Sequence, residues 1–184
     1  MWIYILLGII GLLLIYTLTA YNSFVKCQNR VNEAFATMDV YLKKRWDLIP
    51  NIVESVKGYA RHENQVLKEI TELRNRNVSY SQISSDDKVL IDSKLSQAVS
   101  GLMALAEAYP DLKASDNFKD LSRQLSAVEE DIANARKYYN ATVRIINDKI
   151  ETFPSNIIAA LFGFKTMGMF EATQDERESV KIKL

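Results

Sequence analysis

The side chains best suited to chemistry in this 184-residue chain are one histidine, one cysteine and a few charges set among apolar neighbours. His62 is followed by Glu63, the order seen in zinc-binding helices, but the second imidazole would have to stand where the chain has Val66. A di-iron helical bundle needs two Glu-x-x-His segments, which one histidine cannot supply. Cys27 as a nucleophile would lie roughly 50 Å along a helix from His62, too far to share a proton with it. No glycine-rich phosphate loop occurs. The reading is therefore a non-enzyme with no catalytic residues, no metal ligands and no cofactor, in which His62 and Cys27 are solvated or packed side chains.

Arg45 and Glu63 are the more informative charges, because both interrupt an apolar seam. Val31, Phe35, Met38, Leu42, Arg45, Ile49, Ile52, Val56, Tyr59, Glu63, Val66, Ile70 and Leu73 alternate in steps of four and three, which keeps one stripe of a helix facing a partner. Two readings stand. The Arg45 stem can lie along apolar surface with its head in water while Glu63 marks the stripe's edge. Alternatively, each pairs with an opposite charge on a neighbouring helix and sets register at some cost in stability. Lys43, Lys44 and Arg45 also form a cationic cluster. If the helix runs unbroken from Ala20, that cluster stands about 35 Å beyond a membrane, outside a Debye length, which favours solvent or a protein over anionic lipid.

The element that places these charges begins at the N-terminus. From Met1 to Val25 no side chain is charged, enough to cross the ~30 Å hydrocarbon core of a bilayer as a helix. Trp2, Tyr4, Tyr16 and Tyr21 fall where interfacial anchors sit. A cleaved signal is disfavoured, since no Lys or Arg precedes Trp2 and Leu18-Thr19-Ala20 lacks small residues at both expected positions. Positive charge lies C-terminal to the span, at Lys26 and Arg30, which places the following domain in the cytoplasm.

Beyond the span, Lys+Arg and Asp+Glu are equal over the chain at 23 each, so no strong field gathers nucleic acid or an acidic substrate. Three prolines, six glycines and no bounded runs of alternating apolar residues point to an all-α fold. The first long helix is expected to kink or restart near Pro50. A second, opened by Ser84-Ser85-Asp86-Asp87, carries Ile91, Leu95, Ala98, Leu102, Leu105 and Tyr109 and stops at Pro110. A third runs from about Ser115 to Phe153 on Phe118, Leu121, Leu125, Val128, Ile132, Ala135, Tyr139, Val143, Ile146, Ile150 and Phe153. Pro154-Ser155-Asn156 then reads as a stop and a fresh cap. The predicted architecture is a transmembrane helix followed by an antiparallel long-helix bundle of three long helices and a short C-terminal one. Its divisions are an anchor at 1–25, a bundle at 26–170 and a flexible polar tail at 171–184.

The segment from Ile157 to Phe170 concentrates Ile157, Ile158, Leu161, Phe162, Phe164, Met167, Met169 and Phe170. It is read either as a lid closing the bundle core or as a docking surface for a protein or a membrane. Three helices running out, back and out would leave it far from the protein's own membrane.

These stretches resemble the LemA family of bacterial membrane proteins. The resemblance rests on Tyr21–Val25 and Asn29–Val31, on the run Leu42–Tyr59 with its Trp46-Asp47-Leu48-Ile49-Pro50-Asn51 centre, and on Ala106–Ala114. It also rests on Ala135–Asn140, Phe153–Asn156, Phe162–Phe164 and Phe170-Glu171. Trp46 and Ile52 depart conservatively from the family pattern. The resemblance implies a single-span bacterial inner-membrane protein and supplies no catalytic residues. A branch on magnetosome membranes suggests the organising of a membrane compartment. The function expected is a scaffold or adaptor, with membrane shaping as the alternative and an enzyme last. Its partners are lipid through residues 1–25 and a protein or further copies of the chain, without nucleic acid or a small-molecule substrate.

Overall fold

The computed structural model describes residues 1–58 and 85–170. Those residues are all-α, with five helices: α1 Trp2–Lys57, α2 Ser85–Glu107, α3 Pro110–Ala114, α4 Asp116–Glu151 and α5 Ser155–Phe162. His62, Glu63, the seam from Tyr59 to Leu73 and the tail 171–184 lie outside them. The chain packs as two compact units. The first holds Met1–Met38 with Asn134–Phe170; the second holds Asp39–Ala133, of which 39–58 and 85–133 are described.

In the first unit the core gathers Phe24, Cys27 and Val31 of α1, Val143 and Ile146 of α4, and Ile158 and Ala159 of α5. The α1 stripe continues through Ala34 and Met38, steps of three and four that keep one face turned inward. Ala34 takes the buried place expected of Phe35, which instead meets Tyr139 edge-on at 6.0 Å. Ser23 accepts a hydrogen bond from the Lys149 ammonium. With Ser23 beside Lys149 and Phe35 beside Tyr139, α1 and α4 run antiparallel here. Thr142 and Val143 are both buried, so the seam shifts between neighbouring positions as a straight helix drifts from the strict seven-residue repeat. The Thr142 hydroxyl donates to the Tyr139 carbonyl at 2.7 Å, which satisfies it.

In the second unit Ile49, Ile52, Val53 and Val56 of α1 meet Leu95, Ala98, Val99, Leu102 and Ala106 of α2. Leu112 of α3 and Phe118 and Leu125 of α4 complete the core. The first helix does not restart at Pro50. It passes through to Lys57 although proline removes one backbone bond, at a cost of about 3 kcal/mol. Four buried aliphatic residues within one turn or two of Pro50, each contributing about 1.5–3 kcal/mol, outweigh that loss.

Three boundaries differ from the sequence expectation for local reasons. α2 ends at Glu107 because the residue before a proline is pushed out of the helical region, and Tyr109 is extended at φ −119°, ψ 93°. Pro110 itself opens α3, where its missing N–H costs nothing. α4 ends at Glu151, so Phe153 leaves the seam and is 79 % exposed. Ser155 does not cap α5: its Oγ lies 2.7 Å from the Lys149 carbonyl and closes the end of α4 instead.

Candidate functional site

Arg45 reaches the second unit's interior from α1. It is 1 % exposed, and Asp92 on α2 is 3 % exposed. Nη2 donates to the Asp92 carboxylate and, at 3.2 Å, to the Asp92 carbonyl. Nη1 donates to Ser96 Oγ at 2.9 Å and to the Glu129 carboxylate of α4 at 3.2 and 3.3 Å. Four of five guanidinium N–H groups are thereby used, and Nε has no hydrogen-bond partner. The guanidinium joins three helices with a planar fork that a lysine could not reproduce. Two carboxylates face the guanidinium, and Glu129, 31 % exposed, is partly hydrated.

The sequence reading did not find Asp92, Ser96 or Glu129. The signal for Asp92 was present: 92, 95, 99, 102 and 106 form an alternating three-four stripe whose first member is a carboxylate, matching a seam that carries one arginine. The stripe that starts one position earlier at Ile91 has the same alternating spacing and masks it.

The second candidate is the C-terminal segment of the first unit, and the structure divides its residues. Ile158 and Phe170 are buried, and Phe164 and Met167 are half-buried against the core. Phe164 stacks on Phe24 at 4.8 Å, and Phe170 meets Tyr139 edge-on at 5.3 Å. Ile157, Leu161 and Phe162 are 58 %, 71 % and 48 % exposed. Gly163 sits in the left-handed region at φ 74°, and the Phe164 N–H returns to the Ala159 carbonyl at 2.9 Å, ending α5 and turning the chain back along α4.

That returning strap is held by two asparagines the sequence reading did not single out. Asn147 bonds both the N–H and the carbonyl of Met167, each at 2.9 Å, and Asn140 does the same for Phe170 at 2.8 Å. The spacing is dictated by geometry. Seven helical residues rise about 10.5 Å and three extended residues span about 10 Å, so 147 and 140 match 167 and 170 on a strap running opposite to α4.

The segment lies beside the uncharged stretch of α1. Because α4 runs antiparallel to α1, α5 comes to the level where the uncharged stretch of α1 ends. The Tyr21 ring lies 4.8 Å from Phe162 and 5.9 Å from Phe164. Trp2, Tyr4 and Tyr16, like Tyr21, keep exposed rings along α1.

A cleft of about 740 Å³ opens in the second unit over Met103, Ala106 and Phe118. Its cationic rim is already compensated: Lys113 faces Glu107 at 3.9 Å, Lys119 faces Asp116 at 3.2 Å and Arg123 faces Asp120 at 3.2 Å. Among the described residues no three His, Cys, Asp or Glu side chains gather around a possible metal position. Cys27 is a buried free thiol.

Among the described residues one helix is long and apolar enough to cross a bilayer, with its apolar face bare and its later turns packed in an all-α core, the features of a membrane-associated helical protein. The chain belongs to the LemA family, which it matches over residues 34–184. It is 28 % identical over 159 residues to Protein LemA of Metamycoplasma hominis, an alignment covering 86 % of this chain and 72 % of that protein. It is also similar to Magnetosome protein MamQ 2 of Paramagnetospirillum magneticum, 25 % identical over 178 residues, with 84 % of this chain and 65 % of that protein covered. Magnetosome protein MamQ of Magnetospirillum gryphiswaldense is 24 % identical over 177 residues, with 83 % and 65 % covered. The chain thus spans 65 % of the length of these magnetosome relatives. None of these names is that of an enzyme.

Proposed function

We propose that this protein is a non-enzymatic scaffold or adaptor held at the bacterial inner membrane, where it organises protein partners or further copies of itself, with its helical part in the cytoplasm. The observation that carries this reading is the continuity of α1. The helix that presents bare apolar residues over its first turns supplies Phe24, Cys27, Val31, Ala34 and Met38 to a folded core without a break. An anchor continuous with a packed unit transmits position, which a scaffold needs. Among the described residues the buried charged side chains are Arg45 and Asp92, and they are engaged with each other. Register setting by Arg45 and Asp92 is part of the same proposal.

The test is mild crosslinking in native cells followed by mass spectrometry, comparing the full chain with one lacking residues 1–18. That deletion keeps Tyr21 and Phe24, which pack on Phe162 and Phe164. A scaffold retains a defined set of protein crosslinks in both and loses their membrane location in the shortened chain. Lipid adducts alone would sink the reading.

The exposed face of α5 favours a second reading, membrane shaping by assemblies of the protein. Mixing the shortened chain with liposomes separates the two, since only a shaper deforms them.

A further inference from the structure

We infer that α5 is a second membrane contact: a short helix lying in the headgroup boundary of the same bilayer that α1 crosses. The inference rests on reading α1 as a membrane span.

Depth is the first argument. Residues 1–25 carry no charged side chain and Lys26 is the first basic one, so the polar boundary on this side falls near Tyr21 to Lys26. Phe162 packs on Tyr21 at 4.8 Å and Phe164 on Phe24 at 4.8 Å, which sets α5 at that boundary and nowhere else along α1.

Sidedness is the second. Ile158 and Ala159 face the core, while Ile157 and Leu161, one turn apart, face outward at 58 % and 71 % exposure. Phe153, in the turn that leads into α5, is 79 % exposed, and Phe162 is half-exposed beside Tyr21. A helix of Ser-Asn-Ile-Ile-Ala-Ala-Leu-Phe has no charge to keep that face in water. Large apolar side chains exposed together mark a surface that something covers.

Continuity is the third. Leu18, 61 % exposed, lies one turn before Tyr21, so the bare face of α5 extends the lipid-facing surface of α1 without an intervening charge. A headgroup–acyl boundary fits such a face, since it takes up a shallow apolar surface, and the opposite side of α5, Ile158 and Ala159, is already buried in the core. A protein partner or a second copy would have to reach the same place inside the headgroup layer.

Three single-cysteine forms of the full chain in a Cys27→Ala background test this, each carrying an environment-sensitive fluorophore. Leu161→Cys reports α5 and Leu12→Cys the span. Tyr138→Cys reports an exposed α4 position beside Tyr139, whose partner Phe35 lies about 21 Å along α1 from Tyr21. Each is reconstituted in phosphatidylcholine–phosphatidylglycerol vesicles containing lipids with a nitroxide near the headgroup or near the chain end, after circular dichroism shows intact helix. The Leu161 site should lose most of its emission to the shallow nitroxide and less to the deep one. The Leu12 site should respond most to the deep nitroxide and the Tyr138 site to neither. If Leu12 is quenched and Leu161 behaves like Tyr138, α5 does not touch lipid and the inference fails while the anchor stands. Blue-shifted but unquenched emission at Leu161 means that protein covers the face, which also overturns it. An unquenched Leu12 site removes the anchor reading and the inference with it.

Discussion

Arg45 and Asp92, 47 residues apart in sequence, face each other in the core of the second unit, with 1 % and 3 % of their surfaces exposed. Removing one member of a buried pair leaves an uncompensated charge, whereas replacing the whole set by apolar groups removes the desolvation cost as well. Asp92→Ala leaves the guanidinium paired with Glu129 but strips the buried Nη2 of its carboxylate, and is expected to destabilise the fold by about 1–3 kcal/mol. The triple change Arg45→Met, Asp92→Leu, Glu129→Leu should recover most or all of it. Urea unfolding of the full chain in detergent, followed by circular dichroism, measures both. A triple variant weaker than Asp92→Ala would show that the pair is a net source of stability.

Arg45→Lys keeps the charge and loses the fork. One ammonium cannot reach Asp92, Ser96 and Glu129 together, so at least two charge-assisted bonds are lost, each contributing about 1.5–3 kcal/mol. The expected result is a clear fall in unfolding midpoint at unchanged net charge. Because the pair is buried, added salt should leave the difference between variant and parent nearly constant. A difference that closes as salt rises would place the interaction at the surface.

Asn147→Ala and Asn140→Ala should free the strap without melting α4. Each removes two bonds to a backbone amide, at about 1–3 kcal/mol per site for the groups left unpaired. Hydrogen exchange at Met167 and Phe170 should quicken and trypsin should cut sooner after Lys165, while exchange along Val143 and Ile146 stays slow. Equal acceleration in α4 would mean that the asparagines hold the helix rather than the strap.

Gly163→Val should cost about 1–2 kcal/mol from backbone strain alone, because a Cβ there meets nothing within 4 Å but the residue must hold φ 74°. Gly163→Asn should cost markedly less, since asparagine tolerates that region. Comparing the two in thermal unfolding separates backbone strain from crowding; equal losses would indicate crowding.

The helices, the uncharged N-terminal stretch and most of the buried stripe could be read from neighbouring residues alone. A helix's inward face is written in the spacing of its own residues, which is why Val31, Met38, Leu42, Ile49, Ile52 and Val56 were legible and are buried. Membership of the LemA family was legible for the same reason, being carried by runs of neighbouring residues. What Arg45 meets depends on the packing of distant helices, because Asp92 and Glu129 lie 47 and 84 residues away and no local period links them. Packing also decided that Ile158 turns inward while Ile157 and Leu161 turn outward, since an eight-residue helix apolar almost throughout has no polar face to orient it. The return of α5 to Tyr21 depended on the direction of α4, which is set by how whole helices pair. Counting prolines could not supply that: Pro50 lies inside a helix and Pro110 begins one.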